Sequence, residues 1–478
     1  MPNKLTKLIA TIGPSSDSED MIKALIENGV NIFRFNFKHS DPDWHKERLR
    51  RVKKVALELN TNIATLLDLQ GPEIRLTMPF DQIELEPNEK IILSNEIFET
   101  KEKGFSLSSP EIIEKLENEQ KISVDDGLFN FSVRKENEKT YLISGSKGIL
   151  KNQKTVNVLN FDYDFPVIHA RDLGGLKLAK EHAVDFIALS FVRDSNDIKI
   201  LKEEMQKIDL KASIIAKIET AKALKNIDEI ISETDAVMIA RGDLGVEIPA
   251  EEVPFYQKSI IRKCMEKGVA VITATQMLES MIEKPIATRA EVSDVANAVY
   301  DFTDAVMLSG ETAIGNYPLE AINTMNKVIN FTEDKNRLPD IRVDFNFELQ
   351  SNSQMVSDSA FNLYKILKSG GKNIKGFIAF TETGKTAKMI SRYRPHVPVF
   401  AFSLNPLVIK SLLINFGVVP ISHSLSKEER EIIREDIVKA FEELEKLGFA
   451  KKGDLFIVLH GDYWAKETNT STIKLITY

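Results

Sequence analysis

Residues 33–41 read FRFNFKHSD. Side chains of a β-strand alternate between its faces, so Phe33, Phe35 and Phe37 share one face while Arg34, Asn36 and Lys38 share the other. Two cations and an amide on an inward face are costly unless something anionic or polar lies opposite. An apolar run of this length, followed by an amphipathic stretch, recurs along the chain. The runs are KLIATIG (7–13), VNIFRFNF (30–37), NIATLLDL (62–69), FIALSFV (186–192), SIIAKIE (213–219), AVMIARG (236–242), AVITATQ (270–276) and DAVMLSG (304–310). They are rich in Ile, Val and Ala without strict alternation, which suits strands buried on both sides of a parallel sheet. Helical patterns follow at 42–59, 172–183, 194–206, 221–232, 251–267, 288–299 and 317–332. Near the start, Ser16 with Glu19 reads as a capping box for a helix stopped by Gly29. Eight strand–helix units predict an α/β fold, a (β/α)₈ TIM barrel, with an open α/β sheet as the competing reading.

The spacing breaks once, between Leu69 and Phe186. There DQIELE, EKIILS, QKISVDDGLFNFSV, TYLISG and TVNVLN read as short strands of an inserted β-rich lid. An insertion after the third strand lies at the C-terminal face of the barrel, where active sites of this fold are found. A second α/β pattern follows, with KNIKGFIAF, VPVFAFS, FGVVPIS, GDLFIVLHG and STIKLITY as strands of a mixed sheet. The expected domains are the barrel at 1–71 and 166–335, the lid at 72–165, and a C-terminal α/β domain at 340–478. The charged stretch 426–446 reads as an amphipathic helix capped by Ser426 and Glu429.

With 478 residues the chain is too long for one core. Its formal charge of −8 argues against a nucleic-acid binder. Cys264 is the one cysteine, so neither an intrachain disulfide nor a Cys-built metal site can form. No apolar run approaches the ~18 residues of a membrane span, and the strand pattern begins too early for a signal peptide. The cytoplasm is the expected compartment.

Polar residues gather at the strand ends: Arg34, Asn36 and Lys38; Asp68; Ser190 and Arg193; Lys217 and Glu219; Asp243; Thr275; Ser309 and Glu311. Such ends face the substrate in a barrel of this kind. Glu219 and Asp243, from adjacent strands, suit a hard divalent cation shared with substrate oxygens. Lys217 lies two residues before Glu219, on the same face, and suits a transferring phosphoryl group or a developing enolate. In ARGDLGVEIP, Gly242 and Gly245 let backbone amides approach a small carboxylate. The Thr275 hydroxyl suits proton relay or backbone capping.

Taken in order, TIGPSS, RFNFKH, LLDLQGPEIR, VDDGL, SFVR, AKIE, MIARGDLGVE, ATQMLESM, TRAEVSDVANAV, MLSGETAIGNYP, SRYRP and GDLFIVLHG resemble the pyruvate kinase family over nearly the whole chain. The resemblance implies a barrel with a lid and a regulatory domain, moving the phosphoryl group of phosphoenolpyruvate to ADP to give ATP and pyruvate in glycolysis. It implies Glu219 and Asp243 as ligands of Mg²⁺, or of Mn²⁺ in its place, with Lys217 as the phosphoryl-transfer cation. Arg34 and Arg75 would contact phosphate, with Arg75, Asn36 and His39 near the nucleotide. Arg171 stands where the family has a lysine that reaches nucleotide phosphates. The Gly242 and Asp243 amides and the Thr275 hydroxyl would cradle the pyruvate carboxylate, and Thr275 would help protonate the enolate through water. TETGKT implies an effector phosphate site at Thr381, Thr383, Gly384, Lys385 and Thr386, and a homotetramer is implied. Ala379 excludes a P-loop there.

The chain departs from the family at Lys38, Ser40, Leu69 and Gln70. The usual Asn-Phe-Ser-His-Gly is NFKHS here, so Lys38 replaces a serine that, with the positions of Asn36, Asp68 and Leu69, helps hold K⁺ in the family. A lysine has donors and no acceptor, so it cannot ligate K⁺. Its tethered charge near Asp68 is expected to replace the ion and remove the K⁺ requirement. Glu73, a mark of potassium-dependent members, points the other way unless it pairs with Lys38. Two other readings share these residues: a Mg²⁺-dependent pyruvate aldolase or lyase, which would not need the lid or Arg75, and a non-catalytic effector-binding paralogue.

Overall fold

All eight apolar runs form strands: Lys7–Thr11, Ile32–Asn36, Ala64–Asp68, Phe186–Leu189, Ser213–Ile218, Ala236–Ala240, Ala270–Ala274 and Ala305–Leu308. In this computed structural model, which describes residues 4–95, 103–125, 127–159, 161, 165–335, 347–422, 434–461 and 469–478, they close into a parallel barrel. The second strand lies between the first and third, with Arg34 level with Thr11 and Asn36 level with Asp68. Phe33, Phe35 and Phe37 are fully buried beneath the surrounding helices, whereas Ile32 belongs to the barrel interior with Leu66, Phe186, Ile215 and Met238. Small side chains from Ala236, Ala270, Ala274 and Ala305 complete that interior. The faces read from FRFNF are therefore the faces observed.

Two local expectations are corrected. The cap of the first helix, Glu19–Glu27, is Ser18, whose side chain accepts from the Met21 amide. Ser16 instead accepts from Gly13 N in the preceding turn, two residues too early to cap. The helix expected at 221–232 is split at Asn226 into Ala221–Lys225 and Ile227–Glu233.

Between the third and fourth barrel strands, the chain builds a separate β structure around Leu76, Ile91, Phe105, Phe131, Val133 and Leu142. Seven of its strands, from Ile74–Thr77 to Thr155–Val158, close into a small barrel, and Gln82–Leu85 pairs with Gly148–Lys151 beside it. The last region is a five-stranded mixed sheet in the order Val418–Ser422, Val399–Ser403, Ile374–Phe380, Leu455–His460, Thr472–Thr477, antiparallel only at the final pair. Helix Arg434–Lys446 covers one of its faces, while Ser426 and Glu429, expected as its caps, lie outside the described residues.

This last region is fastened to the N-terminal end of the large barrel. Leu413 and Ile414 join the interior apolar cluster there. Buried Arg394 donates to Asp304 at 3.0 and 2.6 Å, and Asp304 also accepts from the amides of Phe416 (2.8 Å) and Val271 (3.0 Å). Lys7 donates to the carbonyl of Val418 at 2.6 Å. Among the described residues no helix is long and apolar enough to cross a membrane.

Candidate active site

At the opposite, C-terminal end, Asp68 finishes the third strand fully buried. Arg34, one strand away, donates to it through Nε at 2.8 Å and Nη2 at 2.6 Å, and to Thr11 Oγ1 through Nη1 at 3.1 Å. From the fifth strand Lys217 meets Ser190 Oγ at 2.7 Å, Glu219 at 2.9 Å and Asp68 at 3.2 Å. Those contacts occupy all three donors of an ammonium group. Burial disfavours the Lys217 charge, but Asp68, Glu219 and Asp243 outweigh it and hold the pKa above that of an ordinary lysine. Burial likewise disfavours the Asp68 charge, and Lys217 with Arg34 reverses the effect, keeping the carboxyl below its usual range.

Glu219 is the exception. Burial, reinforced by the negative charge of Asp243, pushes its pKa up to about 7 against the pull of Lys217 and the Phe191 amide. That amide donates to its second oxygen at 2.6 Å. A dry carboxyl with a second carboxylate nearby is relieved by a small, hard cation. Among the described residues no group of three or more potential ligands gathers. A pair of carboxylates fits Mg²⁺, which characteristically takes one or two and fills its shell with water and substrate oxygens.

Helix Arg241–Glu247 begins where the sixth strand ends, placing Gly242 and Asp243 at the rim. The Gly242 amide donates to Thr275 Oγ1 at 2.8 Å, and that hydroxyl donates to Ala274 O at 2.7 Å. Thr275 and Gln276 are both left-handed, at φ +63° and +54°. The conformation is strained for a β-branched residue. The structure thus brings Gly242, Asp243 and Thr275 together beside the Lys217–Glu219 pair.

The loop after the second strand gives a mixed result. Lys38 lies beyond the strand end and pairs with Glu73 at 2.7 Å. Asp68, its expected neighbour, is met instead by Arg34 and Lys217, because both reach it from the barrel interior while Lys38 sits in the following turn. Asn36 accepts from the Lys38 amide at 3.3 Å, and the Leu69 carbonyl accepts from Ser190 at 2.8 Å. Arg75 reaches Glu73 at 3.1 Å and the carbonyl of Gln153 at 2.7 Å, with Gln70 3.5 Å from the same glutamate. Burial, followed by the charges of Lys38, Arg34 and Arg75, lowers the His39 pKa. The cations around His39 are themselves paired, Lys38 and Arg75 with Glu73 and Arg34 with Asp68.

Arg171, which is exposed, donates to the carbonyls of Phe37 (2.9 Å) and Ser40 (2.5 Å), holding that turn. Ser40 is left-handed at φ +62°, so it occupies a conformation for which the family's glycine carries no Cβ penalty. Arg193, just before helix Ser195–Lys207, pairs with Asp197 in its first turn, and Glu311 accepts from the amides of Leu278 and Ser309, so these rim residues serve local structure.

In the C-terminal region, Thr381 Oγ1 accepts from Gly384 N at 2.9 Å, and Gly384 is left-handed at φ +82°. Thr383 and Lys385 are exposed, whereas Thr386 is buried against Thr470 at 2.8 Å. Sequence reasoning named Ser190 without a role and passed over Arg241. Nothing in ARGD separates a guanidinium that turns inward from one that faces water.

Comparison with known proteins identifies the family. The family model described as pyruvate kinase, barrel domain, matches residues 3–322, and the pyruvate kinase alpha/beta domain matches 367–476. The chain belongs to the pyruvate kinase family. It is 38% identical over 478 residues to the pyruvate kinase of Staphylococcus epidermidis, covering 98% of this chain and 80% of that one. Identity to the pyruvate kinases of Geobacillus stearothermophilus, over 485 residues, and Staphylococcus aureus, over 480, is 39% with the same coverage. Family membership makes the chain an enzyme of the transferase class.

Proposed function

We propose that the chain transfers the phosphoryl group of phosphoenolpyruvate to ADP, giving pyruvate and ATP. The observation that carries the reading is the Asp68–Lys217–Glu219 cluster, a buried cation between two carboxylates at the mouth of a barrel. Arg34, fixed by Asp68 and Thr11, keeps guanidinium N–H groups for a phosphoryl oxygen. Lys217, held protonated by its neighbours, offers its charge where negative charge spreads during transfer. Glu219 and Asp243 would hold Mg²⁺, or Mn²⁺, which would supply Lewis-acid charge to the phosphoryl and enolate oxygens. The Asp243 amide orients the carboxylate of the substrate, joined by the Gly242 amide once that is released from Thr275 Oγ1. Thr275 passes a proton to the enolate carbon, directly or through water.

Asn36, His39 and Arg75 face the nucleotide, and the lid at 72–165 closes over it to exclude water. Arg171 contributes by fixing the 37–40 turn. Lys38, paired with Glu73, supplies the monovalent charge, so K⁺ is not required. Thr381, Thr383, Gly384, Lys385 and Thr386 receive an effector phosphate, and the enzyme assembles as a homotetramer. The phosphate site is tested by melting the protein with and without phosphorylated sugars and nucleotides, where unchanged Tm and activity remove it. The reaction itself is tested by pyruvate formation from phosphoenolpyruvate and ADP with Mg²⁺, in tetramethylammonium buffer and with added K⁺. Activity without K⁺ is expected; silence in both buffers overturns the reading.

A further inference from the structure

We propose that Arg241 is the positioning residue for Thr275, setting the rate at which the enolate is protonated without itself touching substrate. The inference rests on the role of Thr275 in the reaction proposed above. Arg241 is buried, and its guanidinium binds consecutive carbonyls at the end of the seventh strand: Nε to Ala274 O at 3.2 Å and Nη2 to Thr275 O at 2.7 Å. From the other side Asp294 grips it through two oxygens, each at 2.8 Å, and Gln257 accepts at 3.4 Å. The Met277 sulfur lies 2.9 Å from Nη2.

These bonds bracket the two left-handed residues, Thr275 and Gln276. A strained corner persists only where its surroundings over-determine it. Here one side chain, borrowed from the neighbouring strand–helix unit, supplies two of the bonds that hold it. Arg241 also begins the helix that carries Gly242, whose amide fixes the Thr275 hydroxyl. The same residue thereby sets both halves of the contact: the hydroxyl through its backbone carbonyl, and the amide through chain continuity. The Ala274 carbonyl is shared by Arg241 Nε and the Thr275 hydroxyl, so loss of the arginine also changes what that hydroxyl donates to.

The step concerned is a proton transfer. A C–H bond forms at the methylene carbon of the enolate from its own electron pair, and an O–H bond of Thr275 or of a water bound to it breaks. Solvent then restores the proton. A donor misplaced by ~1 Å costs on the order of 10²-fold in rate.

The experiment follows exchange of pyruvate methyl hydrogens for deuterium in D₂O with Mg²⁺ and ATP, by NMR, beside steady-state kinetics. Arg241→Met is expected to slow exchange and kcat by about 10- to 100-fold with KM for ADP unchanged. Arg241→Lys restores part of the loss, and Asp294→Asn, which keeps the arginine but frees one side, gives a smaller loss of the same kind. In a Thr275→Ala background, Arg241→Met adds little, because both act through one group. Should Arg241→Met not fold, Asp294→Asn and the lysine variant carry the test. Wild-type exchange in folded Arg241→Met or Asp294→Asn, or full additivity with Thr275→Ala, overturns the inference. A wild-type enzyme that forms no pyruvate overturns the proposed function instead.

Discussion

The two ends of the large barrel both bury ionic groups, and they do so in opposite ways. At the N-terminal end Asp304 is a closed set: Arg394 and the amides of Phe416 and Val271 satisfy it, and apolar Leu413 and Ile414 fill the space around. At the C-terminal end the set is open. Lys217 is shared among Ser190, Asp68 and Glu219, and Glu219 keeps a pKa raised to about 7 by burial. Where every charge is answered by a fixed partner, the ions hold the structure together. Where the balance is left incomplete, as at Glu219, a charged ligand would be stabilised by completing it.

The comparison is broken most directly by moving one charge at each end. Arg394→Met strands Asp304 in the interface and is expected to destabilise the protein by about 3–5 kcal/mol in urea unfolding, with activity tracking the folded fraction. Lys217→Met should do the reverse: kcat falls by about 10²- to 10³-fold, while the urea midpoint moves less than for Arg394→Met. If Lys217→Met proves the more destabilising of the two, the distinction between the ends fails.

Lys38→Ser sharpens the picture at the open end. Removing one of the two cations paired with Glu73 is expected to lower activity about tenfold in K⁺-free buffer, equivalent to roughly 1.4 kcal/mol, with added K⁺ restoring it. An unaffected variant would show that Lys38 serves only its ion pair.

The smallest effect concerns pH at the closed end. Burial lowers the pKa of Lys4 to about 7 and of Lys7 to about 8. An unfolded lysine titrates near ~10.4, so between those values the unfolded chain binds more protons than the native one. Stability contributed by these two groups should therefore rise as pH increases from about 7 to about 10, and level off beyond. Unfolding of Lys4→Met and Lys7→Met at pH 7 and 9.5 should show a flatter dependence than the wild type; parallel curves would remove the contribution.

Much of the barrel was legible because its strands are short, apolar and separated by amphipathic helices. The alternation in FRFNF fixed which face each residue took, and the polar strand ends marked the mouth. Periodicity could not show where Lys38 goes, because it falls after the last strand residue, where a period of two no longer applies. The partners of Arg171 were hidden for a related reason: they are backbone carbonyls, which carry no residue identity. The contacts of Arg241 depend on two neighbouring strand–helix units meeting in space, and a one-dimensional pattern holds no distance. The cap at Ser18 reads as Ser16 in the sequence because both serines precede the same acidic turn.

The lid also bears on how the chain comes to fold. The third and fourth barrel strands are hydrogen-bonded neighbours, Leu66 beside Phe186, although the whole lid separates them in sequence. Because loop-closure entropy grows only logarithmically, each doubling of the connection costs about 0.6 kcal/mol. Replacing a crossover of the length found elsewhere in this barrel by one roughly five times longer therefore adds about 1.4 kcal/mol, a modest obstacle. A lid that folds first, around its own core, shortens even that span, since its two ends enter and leave on paired strands, Ile74–Thr77 and Thr155–Val158. The insertion can then act in folding as a preassembled clasp, bringing distant parts of the barrel within reach before the sheet has closed.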